Sequence, residues 1–125
     1  MVSIASNNEI ECLQWVKYGS LTSAALMSPT KPGVYALCIN RKVYGLSISV
    51  DWGYIGRSDK LNRRLTEHLP KNEKNDLLKK WIFSHYNNIE VWVATTATKK
   101  QSRLAEKELV RELNPTINKI KFTEE

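Results

Sequence analysis

Cysteine is scarce in this chain: Cys12 and Cys38 are the only two, and they share no CxxC spacing. That excludes a disulfide framework and a cysteine-based zinc site, and points to a reducing compartment such as the cytoplasm. Histidine is as rare, with His68 and His85 alone. Long apolar runs are missing as well. Near the N-terminus the longest is Ala24 to Met27, too short for a signal peptide or a membrane span, so no membrane partner is expected. Internal repeats, low-complexity segments and blocks of like charge are absent. Acid is in deficit, 13 Asp+Glu against 19 Lys+Arg, a net charge of +6. An excess of this sign favours a polyanion as partner, with nucleic acid first.

What is present fits one ordinary globular domain. The chain has 125 residues, 42% hydrophobic and 26% charged, which suffices for a core without staples. A helix is expected over about Glu9 to Tyr18, opened by Ser6/Glu9 or Asn8/Glu11 at capping-box spacing, with Gly19 as its stop. A short helical turn over Leu21–Met27 is weakly marked. Pro29 and Pro32 make a loop. Gly33 to Asn40 reads as a strand, Asn40-Arg41-Lys42 as a tight turn, and Val43 to Val50 as its returning partner. Asp51-Trp52-Gly53 is expected to interrupt the chain before Tyr54-Ile55-Gly56 re-enters the sheet.

Leu61, Leu65 and Leu69 recur at helical spacing until Pro70, with Ser58 or Asp59 as the cap. On that helix Arg64 and His68 share a face, about 40° apart. Lys71 to Asn75 is a polar linker, Asp76 to Tyr86 a helix, and Ile89 to Thr96 a strand. Trp52 and Trp81 are read as core, and His85 as packing beside Trp81. The last helix, Lys99 to Leu113, carries an apolar arc of Ala105, Leu109, Val110 and Leu113. Counting from Leu104, Glu106 falls at about 200°, inside that arc, whereas Glu108 and Glu112 fall outside it. A carboxylate within an apolar arc must be paired, hydrogen-bonded or metal-bound. Thr116 to Lys121 is expected to run extended. The element order suggests a small mixed sheet covered by helices.

Tyr35, Tyr54, Arg64, His68, Glu106 and Asn118 together contain the parts that phosphodiester cleavage needs. These are a group to orient or deprotonate water, a cation against developing charge, and a carboxylate for a metal. Each also has a structural explanation. A strand tyrosine is usually core, a helix arginine usually solvated, and Glu106 could equally sit in a buried pair.

The order of these residues resembles the GIY-YIG nuclease family. Gly33-Val34-Tyr35 and Tyr54-Ile55-Gly56 stand for the two tripeptides. Arg64 follows ten residues after Tyr54, His68 four later, then a helix with Glu106, and Asn118 twelve beyond. AEKELVRELNPTIN is similar to the closing helix and turn of the family. The resemblance implies an α/β fold of the α+β type, a small central mixed or antiparallel sheet of three or more strands flanked by helices. It places the nuclease-like domain at 31–121, between an N-terminal helical extension (1–30) and a tail (122–125). It further implies a metal-dependent DNA endonuclease. Tyr35 and Tyr54 would serve as base or water-orienting groups, Arg64 would stabilise the phosphate, and Glu106 would bind Mg²⁺ (Mn²⁺ as substitute). His68 would assist proton transfer or contact phosphate, and Asn118 would support the site.

Two features depart from the family pattern. Val34 replaces isoleucine, and eighteen residues separate Tyr35 from Tyr54, which requires an extra or extended strand pair around Val43 to Trp52. Val43-Tyr44-Gly45 imitates the second tripeptide at shorter spacing, but the offsets of Arg64 and His68 fit Tyr54. Arg57, Lys60, Arg63, Lys71, Lys99, Lys100 and Arg103 are candidate DNA contacts, or simply solvated faces. With no room for a large DNA-choosing domain, the chain is expected to act as a homodimer, to read DNA structure, or to work with a partner protein. The alternative is a catalytically inactive DNA-binding or nuclease-regulating module on the same scaffold.

Overall fold

In the computed structural model, residues 13–118 are described. Among them, four strands form one antiparallel sheet: β1 (Val16–Tyr18), β2 (Gly33–Val43), β3 (Leu46–Ser58) and β4 (Ile89–Thr95), in the order β1-β4-β2-β3. The helices are α1 (Leu21–Met27), α2 (Leu61–Glu67), α3 (Asp76–His85) and α4 (Lys99–Leu113), with a 3₁₀ turn at Tyr86–Asn88.

β2 is central because Gly33 to Ile39 are buried and apolar or small throughout. Such a run suits a strand covered on both faces. Alternation then divides the core. Tyr35, Leu37 and Tyr54 pack with Leu21, Leu61, Leu65, Leu78 and Ile82 from α1, α2 and α3. Val34, Ala36, Ile55 and Ala94 pack with Ala105 of α4 on the other face. There α4 and the sheet leave an apolar cleft of about 300 Å³ lined by Trp15, Ala36, Trp52, Trp92, Leu109 and Leu113.

Several sequence expectations change in the structure. Of the helix expected over Glu9–Tyr18, the first four residues lie outside the described ones, and Val16–Tyr18 is a strand paired with Val91–Val93. The tight turn is not at Asn40-Arg41-Lys42. β2 continues to Val43, and Tyr44 and Gly45 turn the chain at φ 50° and 87°. Positive φ at both central residues matches the twist of a two-residue hairpin. Asp51-Trp52-Gly53 does not interrupt β3. Leu37 pairs with Tyr54 but Cys38 with Trp52, so Gly53 is the extra residue of a bulge. Its Cα lies under the Trp81 indole, where a Cβ would overlap the ring.

α2 stops at Glu67 rather than running to Pro70, because residues before a proline are driven from helical geometry. Neither Ser58 nor Asp59 caps it. Ser58 Oγ instead bridges the backbone of Lys60, accepting from its N–H and donating to its carbonyl, both at 3.0 Å. α4 matches expectation, capped by Thr98 and closed by Asn114 in left-handed conformation before Pro115. Residues 116–118 are helical where the sequence suggests extended chain.

Candidate active site

The tyrosines are placed by sheet register. Tyr35 on β2 stands opposite Gly56 on β3, and Tyr54 opposite Leu37, so both rings emerge on the face covered by α2 and α3. Gly56 is required there: a Cβ would collide with the Tyr35 hydroxyl and its Cζ. The glycine of the second tripeptide is the floor on which the tyrosine of the first lies.

Leu61 and Leu65 anchor α2 to this face, fully buried. That directs His68, just past the helix end, into the core and leaves Arg64 one turn earlier only half-buried. The expected shared face therefore resolves into two environments. His68 is 0% exposed, and its ring centroid lies 5.4 Å from that of Tyr35 and 5.6 Å from that of Tyr54. His68 Nε2 and the Tyr35 hydroxyl are 2.6 Å apart. On its other side, His68 Nδ1 pairs with the Glu73 carboxylate.

Arg64 donates from Nη1 to Glu67 Oε1 at 2.9 Å and acts on both tyrosines. Burial pushes the Tyr35 hydroxyl well above its ordinary value of 10.0; Tyr54 and Glu106 add to this and Arg64 opposes it. Tyr54 is also raised, chiefly by burial, with Arg64 again opposing and Glu106 reinforcing. Both therefore rest as neutral phenols. Burial works against the charge of Arg64, but its surroundings, among them the hydrogen bond to Glu67, shift it upward on balance, so the guanidinium stays ionised.

Glu106 is half-buried on α4, and its charge reaches both tyrosines. Among the described residues no group of three or more His, Cys, Asp or Glu could form a metal cage. The donor set nevertheless suits Mg²⁺, which keeps much of its water and takes one or two carboxylates plus substrate phosphate oxygens. Asn118 clamps the second tripeptide: its Oδ1 accepts the Ile55 N–H at 2.8 Å and its Nδ2 donates to the Ile55 carbonyl at 3.0 Å. Ile55 lies on an outermost strand of the described sheet, so the side-chain amide substitutes for a neighbouring strand.

The basic residues spread more widely. Lys60, Arg63, Lys71, Lys99, Lys100 and Arg103 are exposed. Arg63 lies 3.9 Å from Glu67, and Lys99 lies 3.3 Å from Asp59. Arg57 is half-buried beside Val34 on β2, on the opposite sheet face from the tyrosines. The decoy Tyr44 is 102% exposed at the hairpin tip, remote from this cluster. Glu73, by contrast, is a residue that sequence reasoning misses. It stands in a stretch that reads as a polar linker, and its one signal is being the sole acid between Glu67 and Asp76.

No protein-family model matches the sequence, and no curated protein is significantly similar to it. Solved structures do match. The GIY-YIG N-terminal endonuclease domain of UvrC from Thermotoga maritima, bound to magnesium as its catalytic divalent cation, aligns at TM-score 0.53 and 23% identity. The alignment covers 78% of this chain and 93% of that one. An asparagine-to-alanine point mutant of that domain, bound to its catalytic divalent cation, aligns at the same score and identity over 78% and 92%. A tyrosine-to-phenylalanine point mutant aligns at 0.53 and 22% over 78% and 93%. A four-stranded antiparallel sheet flanked by helices, with these neighbours, gives this chain the GIY-YIG endonuclease-domain fold.

Proposed function

We propose that this chain is a metal-dependent DNA endonuclease whose site is built from Tyr35, Tyr54, Arg64, His68 and Glu106, with Asn118 holding the strand beneath it. The observation that carries this reading is the buried contact between Tyr35 and His68 Nε2 at 2.6 Å, in a cluster on which Arg64 and Glu106 both act. A phenol raised by burial is a poor base by itself. It becomes a useful relay when a histidine lone pair waits for its proton.

In the proposed reaction, water gives a proton to the Tyr35 oxygen as the tyrosine proton passes to His68 Nε2. The water oxygen bonds to phosphorus, the phosphorus bond to the leaving sugar oxygen breaks, and that oxygen is reprotonated from solvent. Arg64, held ionised, faces the negative charge accumulating on the phosphoryl oxygens. Tyr54 packs against His68 and orients the attacking water or the phosphate by its hydroxyl. Glu106 would hold one Mg²⁺ or Mn²⁺, which when bound neutralises phosphoryl charge as a Lewis acid. Lys60, Arg63, Lys71, Lys99, Lys100 and Arg103 would contact flanking phosphates, as would Arg57 from the sheet's other side.

The test is incubation of the full chain with supercoiled plasmid, branched DNA and single-stranded DNA, in Mg²⁺, in Mn²⁺ and in chelator. Cleavage of at least one substrate that stops on chelation is expected. DNA binding without cleavage under every condition would contradict the reading.

A further inference from the structure

Glu73 is buried, 7% exposed, in the turn between α2 and α3, and both its oxygens are committed. Oε1 accepts the backbone N–H of Asn75 at 3.0 Å. Asn75 is itself fixed, because its Oδ1 caps α3 through the Leu78 N–H at 3.1 Å. The other oxygen faces His68 Nδ1. An ionised carboxylate only accepts, so the shared proton belongs to Nδ1. A neutral imidazole with a proton on Nδ1 has its lone pair on Nε2. That nitrogen lies 2.6 Å from the Tyr35 hydroxyl.

We infer that Glu73 is a positioning residue: it locks His68 in the Nδ1–H tautomer, making Nε2 the acceptor of the Tyr35 proton. Its consequence for catalysis rests on the nuclease reading above; the tautomer itself does not. Glu73 also faces the imidazolium formed when His68 takes that proton, and so favours the transfer. With His68 0% and Glu73 7% exposed, bulk water does not compete with the carboxylate for Nδ1.

The Asn75 contact makes one substitution unusually informative. In Glu73→Gln the peptide N–H of Asn75 still requires an oxygen acceptor, which turns the new amide nitrogen toward His68. That nitrogen can only donate, so Nδ1 must accept and the ring proton moves to Nε2. There it opposes proton transfer from Tyr35 instead of receiving it. The substituted side chain keeps its shape, so a merely structural role would leave the tautomer and the rate unchanged.

The experiment records the ring-nitrogen signals of the isotope-labelled full chain, with His85→Gln assigning the two histidines. Single-turnover cleavage of supercoiled plasmid in Mg²⁺ is measured alongside. The expected result is Nδ1–H in the wild type, Nε2–H in Glu73→Gln, and cleavage slowed on the order of 10²–10⁴-fold with DNA binding unchanged. A wild-type His68 carrying its proton on Nε2 overturns the inference, and this spectrum needs no variant to fold. So does an unchanged tautomer in Glu73→Gln, or a changed tautomer with an unchanged rate. The expected tautomers in a chain that cuts no DNA would support the hold of Glu73 on His68 and overturn the nuclease reading instead.

Discussion

Tyr35 has two partners whose demands differ, and single substitutions separate them. Tyr35→Phe keeps the ring on Gly56 but leaves His68 Nε2 buried without its hydroxyl partner. A loss of about 1–3 kcal/mol in denaturant unfolding is expected, together with a fall in cleavage on the order of 10²–10⁴-fold. Glu73 gives a pH signature. Burial pushes its carboxyl up, but the hydrogen bonds from His68 and Asn75 outweigh this and hold it below the ordinary 4.5. A group depressed in the folded state stabilises it fully above the unfolded value, and that stabilisation disappears as pH falls through the folded one. The stability gap between wild type and Glu73→Gln should therefore be full above the ordinary 4.5 and close as pH falls from there through the lower folded value, as unfolding curves at successive pH values would show. The residues of the site differ in how far the sequence discloses them. Tyr35, Tyr54, Arg64 and His68 are tied by spacing along adjacent elements. Glu73 meets His68 only because the chain doubles back after Pro70, and a turn of that kind leaves no periodic trace.

Among the elements, the pairing of β2 with β3 sets the site geometry. Gly56→Ala would drive a methyl group into the Tyr35 ring. An overpacking cost of about 1–3 kcal/mol is expected, with cleavage lost beyond what thermal melting explains, since the hydroxyl must leave His68. Asn118→Ala would remove both side-chain partners of Ile55, at about 1–3 kcal/mol for each group left unsatisfied. The far end of the same hairpin is a contrast. Ile48 is 63% exposed there, and Ile48→Lys should alter stability by no more than about 0.5 kcal/mol. Strong periodicity makes α4 readable to its ends, and buried apolar density does the same for the start of β2. The three residues of β1 read as helix in the sequence because Trp15, Val16 and Tyr18 fit either pattern. Only pairing with β4 settles it, and that contact is distant in sequence. The hairpin turn is misplaced in the sequence reading because polarity at Asn40-Arg41-Lys42 marks exposed strand, whereas Gly45 supplies the positive φ that a turn needs.

For the whole molecule, a net charge of +6 would set the scale of attraction in the proposed DNA complex, and the arrangement of charge its form. Exposed Lys60, Lys71 and Lys100 each contribute by phosphate contact in the proposed complex. Replacing Lys60 by Gln should weaken binding equally across sequences and reduce the slope of log affinity against log salt by about 1. The overall α+β architecture is legible because strands and helices differ so clearly in apolar spacing along this chain. In the proposed site, one protein carboxylate on α4 completes a metal-dependent cutting centre beside two tyrosines on another layer. Plasmid nicking in Mg²⁺ by wild type and by Glu106→Ala, with DNA binding followed by fluorescence anisotropy in both, bears on that arrangement without intermediaries. Metal-dependent nicking by the wild type is expected, abolished in Glu106→Ala while binding persists. Equal nicking by the two proteins, or binding without nicking by the wild type, would contradict it.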